Sequence, residues 1–84
     1  MVRYKFFKGT GNKKYKVEIY VAGKKVKTTQ FGDNRYEQYK DKVKLGLYSS
    51  KDHMDKSRRK KYYQRHGKDA KKWSAKYFSH KYLW

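Results

Sequence analysis

From Lys14 to Val21 apolar and polar side chains alternate, with Tyr15, Val17, Ile19 and Val21 set against Lys14, Lys16, Glu18 and Tyr20. A sustained period of two predicts a half-buried strand. The same alternation precedes it, with Val2, Tyr4 and Phe6 against Arg3, Lys5 and Phe7. Between the two runs, Gly9-Thr10-Gly11-Asn12 supplies residues that tolerate positive φ, which marks a turn. Ala22-Gly23-Lys24-Lys25 predicts a second hairpin, and a third strand runs from Val26 to Phe31 and ends at Gly32. Residues 1–32 therefore predict a three-stranded antiparallel meander, apolar on one face and lysine-rich on the other.

The period then changes. Asp33 predicts the cap of a short helix over about 34–43, with Glu37 near its start and Tyr36, Tyr39 and Val43 at helical spacing. A loop through Gly46, Leu47, Tyr48 and Ser49 completes residues 33–50. Residues 51–84 read as helical. A helix over ~53–66 has Ser50 or Asp52 as its cap and Asp55 in a first turn that favours negative charge. Asp52–Lys56 and Asp55–Arg59 stand at i,i+4 in the acid-first order, and Gly67 is the natural stop. From about Ala70 to Leu83, Trp73, Tyr77, His80 and Trp84 recur at helical spacing, flanked by Phe78 and Tyr82, and predict a helix laying an aromatic side on the sheet. The expected fold class is α+β, a single domain over residues 1–84 in which the meander is followed by two main α-helices packed on it. The expected core is Tyr4, Phe6, Val17, Ile19, Val21, Leu47, Trp73, Tyr77 and Phe78.

Composition explains why the core must be aromatic. The 84 residues include ten Tyr, four Phe and two Trp, and no Cys, so neither a disulfide nor a thiolate metal site staples the domain. That usage fits a reducing compartment. No apolar run approaches the ~20 residues of a membrane span, and Met1-Val2-Arg3-Tyr4-Lys5 lacks the uninterrupted apolar stretch of a secretory signal. The expected location is the cytosol, the nucleus or the interior of a virion, with no membrane partner.

Charge changes the picture most. Twenty-five Lys and Arg face seven Asp and Glu, for a net charge of +18. Residues 1–42 hold twelve bases and four acids (+8), and residues 43–84 hold thirteen and three (+10), so the charge is woven into both halves rather than confined to a tail. Such self-repulsion destabilises a compact monomer, and an anionic partner relieves it. Duplex DNA is the first candidate, because counterion release drives its binding, and RNA is the second. Lys outnumbers Arg twenty to five, which points to phosphate contacts rather than the bidentate reading of guanine. The candidate contacts on the meander are Lys14, Lys16, Lys24, Lys25 and Lys27, on its outer face or hairpin tips. The densest run, Lys56-Ser57-Arg58-Arg59-Lys60-Lys61, supplies Lys56, Arg58, Arg59, Lys60 and Lys61 on a phosphate-tracking helix, with Arg65 a turn further on. On a helix that run cannot all face one way, so part of it faces solvent alone.

Other chemistry is poorly provided for. His53, His66 and His80 are spaced by thirteen and fourteen residues and match no compact metal signature, so no metal or other cofactor is expected. There is no Gly-rich phosphate loop, no nucleophile motif and no carboxylate pair suited to holding Mg²⁺, so the chain is not expected to be an enzyme.

Two resemblances add context. The stretch from Tyr15 to Val26 resembles the sheet of plant AP2-type and integrase arm-type DNA-binding domains, over a common meander pattern that carries no residue roles with it. In the second half, Phe31-Gly32-Asp33, Tyr36-Glu37-Gln38-Tyr39, Leu47-Tyr48-Ser49, Asp52-His53, Asp55-Lys56, Arg58-Arg59, Tyr62, Arg65-His66-Gly67 and the run from Ser74 to Trp84 appear in an order that resembles a family of short basic proteins of nucleocytoplasmic large DNA viruses, algal viruses among them. Asp41 to Ser49 is longer here than in many members of that family. The resemblance implies a large double-stranded DNA genome to be neutralised, with the protein in the virion interior or the host nucleus or cytoplasm. The function expected is largely sequence-independent, non-enzymatic DNA binding in a genome-condensing virion protein. The alternative is a minor capsid or scaffold component that docks an acidic surface of a viral structural protein.

Overall fold

Tyr15, Val17 and Ile19 are fully buried while Lys16, Glu18 and Tyr20 between them are not, so the alternation in the sequence becomes a sheet with one covered face. The computed structural model describes all of residues 1–84. Its strands are β1 (Val2–Lys8), β2 (Lys13–Val21) and β3 (Lys24–Asp33), antiparallel in the order β1-β2-β3. Two helices follow, α1 (Lys56–His66) and α2 (Ala75–Tyr82), and the fold is α+β. Ala22 and Gly23 join β2 to β3 with φ of 51° and 81°. Positive φ at both central residues is the I′ geometry whose twist suits a two-residue hairpin. Just beyond it, the register slips between Ile19 and Tyr20, leaving Val26 as the extra residue on β3.

The register sorts every strand residue onto a face. Tyr4 pairs with Ile19 and Phe6 with Val17, while Tyr15 pairs with Phe31 and Val17 with Thr29. This inner face is closed by α2 and by the chain on either side of it. Phe78 is fully buried, stacked on Phe31 at 5.6 Å and edge-on to Tyr4 at 5.4 Å, and Tyr82 meets Phe6 at 4.9 Å. Edge-to-face and offset pairs of this kind add to the area they bury. Thr29 Oγ1 donates to the Trp73 carbonyl at 2.8 Å, and Trp73 Nε1 donates to Tyr4 Oη at 3.1 Å, which fixes the approach to α2. Ser74 caps α2 by accepting from the Tyr77 N–H at 3.1 Å.

The structure corrects several expectations. No helix forms over 34–43. That segment and its continuation are irregular apart from a 3-10 turn at Ser49–Lys51 and a bridge from Gln38 to Asp52. The order there comes from buried polar side chains. Gln38 is fully buried, and its Nε2 donates to the Tyr48 carbonyl at 2.7 Å and to Asp52 Oδ1 at 2.6 Å. Asp41 accepts from Tyr15 Oη at 2.5 Å, from the Val43 N–H at 3.0 Å and from the Tyr48 N–H at 3.1 Å. Leu47, expected in the core, is 48% exposed, because its N–H rather than its side chain is what the fold uses, donating to Tyr15 Oη at 2.9 Å. Val21 is only half-buried at the end of the sheet, and Tyr15, Phe31, Val43 and Leu83 complete the core in their place.

Asp52, engaged by Gln38 and by the Asp41 N–H at 2.7 Å, does not cap α1. The cap is Asp55, which accepts from the N–H groups of Ser57 and Arg58, so α1 starts at Lys56 and not at 53. It ends at His66 before Gly67, as the sequence predicts. Similarly, α2 begins at Ala75 rather than Ala70, because Trp73 sits at a φ of 64°, outside the helical region.

Candidate nucleic-acid interface

Past Lys14, which Gln38 covers, nothing in the fold covers the other face of the sheet. Arg3 pairs with Tyr20, Lys5 with Glu18 and Phe7 with Lys16, and on the far side Lys16 pairs with Gln30, Glu18 with Thr28 and Tyr20 with Lys25. These nine residues share the outer face. Its cations are held against its aromatic rings, with Lys5 Nζ 4.9 Å from the centroid of Tyr20 and Lys16 Nζ 5.2 Å from that of Phe7. The single acid, Glu18, accepts from Tyr20 Oη at 2.9 Å and pairs with Lys25 at 3.7 Å. The Tyr20 hydrogen bond, with the Lys25 and Lys16 charges, holds its carboxyl below the usual range, and the same bond pushes the Tyr20 hydroxyl up. Glu18 therefore orders the face and is itself largely neutralised by it. The result is an open surface on which exposed Arg3, Lys5, Lys25 and Phe7 flank half-buried Lys16 and Tyr20.

The five strand lysines expected to contact phosphate do not stand on one surface. Lys16 and Lys25 stand on the outer face. Lys24 and Lys27 are exposed but pair with Val21 and Ile19, so they belong to the opposite face, near the β2–β3 hairpin and beyond the cover of α2. Lys14 is 2% exposed and is no surface contact. Its cross-strand neighbour Gly32 has no side chain, and the space left there admits the Lys14 stem and Leu83. The ammonium donates to Gln38 Oε1. Arg3, Lys5 and Phe7 are not among the residues expected from the sequence, although the phase of alternation in the first strand carries the signal. With Tyr4 and Phe6 inward, their neighbours must point out.

Burial, with the Lys51 charge, pulls the Lys14 amine down to about 8. The folded chain thus releases this proton at lower pH than the unfolded chain, and stability rises as pH climbs from about 8 toward the ordinary lysine value. Tyr15 opposes this above pH 10, because burial and its bond to Asp41 keep it protonated where the unfolded tyrosine ionises. Urea unfolding between pH 7.5 and 9.5 is expected to show a gain of about 2 kcal/mol. Lys14→Met is expected to abolish most of that gain and to leave duplex affinity and its salt dependence unchanged. A weaker, flatter salt dependence in Lys14→Met would place the side chain at the interface after all.

The basic helix divides in the same way. Arg58 pairs with Glu37 at 2.8 Å, and that bond holds the Glu37 carboxyl below its usual range. Arg59 Nε donates to the Trp84 carbonyl at 2.6 Å, and its guanidinium lies over Tyr39 at 5.1 Å and Tyr63 at 5.7 Å. Both were expected to contact phosphate, and both already have partners that dock α1. Lys56, Lys60, Lys61 and Arg65 are exposed without an ion pair and are the free cations of the helix.

No residue of α1 is fully buried. It is held instead by Tyr62, which stacks on Trp84 at 4.3 Å with the rings 8° from parallel, and by Tyr63, whose hydroxyl donates to the His80 carbonyl at 3.2 Å. The three histidines gather around this joint. His53 packs on Trp84 at 5.3 Å, His66 on Tyr62 at 4.6 Å, and His80 Nδ1 lies 3.0 Å from Tyr62 Oη. Burial lowers the pKa of His53 and His80. No three His, Cys, Asp or Glu side chains come together as a metal-holding group. Compared with protein-family models, curated proteins and solved structures, the chain gives no match in any of the three.

Proposed function

We propose that this chain is a non-enzymatic protein that binds duplex DNA through backbone phosphates with little preference for sequence. The observation that carries the reading is the uncovered outer face of the sheet, where four cations surround two aromatic rings and the one acid is tied to Tyr20 and Lys25. A ribbon of strands is a shape that enters the major groove. The free cations of α1 form a second basic surface. Across the molecule three acids are in ion pairs, so most of the twenty-five bases are unspent on the fold and available to displace counterions. The prevalence of lysine over arginine favours phosphate contact over base reading. The resemblance to small basic proteins of large DNA viruses extends the proposal to a genome-condensing role in a virion.

Lys5→Ala and Lys16→Ala test the face directly. Each removes one cation from the outer face, Lys5 from an exposed position and Lys16 from a half-buried one. Each is expected to weaken binding to unrelated duplexes alike and to lower the slope of log affinity against log salt by about one unit. Unchanged affinity in both variants would remove the sheet from the interface, and a loss confined to one sequence would contradict phosphate-only recognition.

A further inference from the structure

The strand β1 pairs with β2 on one side and with nothing on the other. The Ala22 N–H donates to the Met1 carbonyl at 3.2 Å, and the Gly9 N–H donates to the Lys14 carbonyl at 3.0 Å. In the antiparallel register these bonds assign the odd-numbered residues of β1 to the ladder. Ladder bonds alternate, so the N–H and C=O groups of Tyr4 and Phe6 point to the open edge. The side chains of the same two residues lie on the inner face. With Val43, Leu45, Tyr82 and the stems of Lys42 and Lys44 they line a groove of about 440 Å³. Leu45 is 48% exposed there. Arg3 and Lys5 stand on the opposite face of the same edge.

We propose that this edge accepts an extended acidic segment of a partner protein as a fourth strand, with apolar side chains toward the groove and carboxylates beside Arg3 and Lys5. Charge selects the occupant. A second copy of the chain would set Arg3, Lys5 and Lys8 against their equivalents, and basic residues on an edge strand oppose self-pairing in this way. The same residues attract a strand that carries Asp or Glu. Nucleic acid has no main chain of peptide N–H and C=O groups to complete the ladder. Strand addition also demands alternation, because a shift of one residue moves every side chain to the wrong face. The edge shares Arg3 and Lys5 with the proposed phosphate-binding face, but it rests on the open main chain of β1 and the groove beside it, and stands if that reading fails.

The test is amide hydrogen exchange by NMR on the full chain, with a synthetic peptide alternating glutamate and valine and long enough to span β1. The Tyr4 and Phe6 amides are expected to exchange freely in the chain alone and to become protected with peptide, while Arg3 and Lys5 amides are protected throughout. A peptide of the same composition with its glutamates and valines in two blocks is expected to bind about tenfold more weakly, and Leu45→Glu, at an exposed position, to weaken the alternating peptide to a similar degree. Equal binding of the two peptides, binding without protection of Tyr4 and Phe6, or no binding would each overturn the proposal.

Discussion

Asp41→Ala is expected to remove at least about 3 kcal/mol of stability, a large part of what a domain of this size holds. One carboxylate accepts from Tyr15 Oη, the Val43 N–H and the Tyr48 N–H. Asp41 is 8% exposed and Tyr15 fully buried, so water cannot simply replace the lost acceptor. Each buried donor left unpaired costs about 1–3 kcal/mol, and three are released together. A domain of this size holds roughly 4–13 kcal/mol in all. Asp41→Asn keeps one acceptor oxygen and turns an amide donor toward the others, so an intermediate loss is expected. Urea unfolding followed by circular dichroism measures both. A loss under about 1 kcal/mol in Asp41→Ala would mean that apolar packing, and not this carboxylate, fixes the chain from Gln38 to Tyr48.

Gly32→Ala is expected to cost about 2–4 kcal/mol and to loosen α1, which lies far from it in sequence. An added Cβ would stand 2.8 Å from Leu83 Cδ1 and 3.1 Å from Lys14 Cβ, at a φ of 75° that side chains avoid. Leu83 and Lys14 are both buried and cannot swing into solvent. Displacing Leu83 moves Trp84, and with it the Tyr62 stack and the carbonyl that receives Arg59. Faster amide exchange along α1 is therefore expected alongside the lower unfolding midpoint. Gly11→Ala is the control, since its φ of 59° is similar and an added Cβ there meets nothing within 4 Å. Equal effects in the two variants would show that backbone conformation, not the close contact with Leu83, is what Gly32 provides.

Much of the sheet was legible, because alternation in β1 and β2 follows directly from one buried and one open face. The hairpin at Ala22-Gly23, the end of α1 at Gly67 and the aromatic closure of the core by Phe78 were legible for similar local reasons. The segment from Asp33 to Asp52 was not. Its order rests on Gln38, Asp41 and Asp52 turned inward, and a buried polar network leaves no periodicity in a sequence. Tyr36 and Tyr39 suggested a helix face, yet Tyr36 is exposed and Tyr39 packs on His53. Asp52 looked like a cap because it precedes a basic helix, but Gln38 and the Asp41 N–H claim it. The candidate interface was legible in its charge and only partly in its residues. Lys14 has the period of an outward residue, and only the missing side chain at Gly32 makes room to bury it. Arg58 and Arg59 belong to the densest basic run, and only the fold shows that Glu37 and Trp84 hold them.

On the function proposed above, the open basic face and the free cations of α1 bind duplex DNA by displacing counterions. Fluorescence anisotropy of the full chain with two labelled duplexes of unrelated sequence, titrated across a series of salt concentrations, tests it most directly. A straight, steep fall of log affinity with log salt is expected, with the same slope and similar affinity for both duplexes. A slope near zero, or binding to one duplex only, would contradict it.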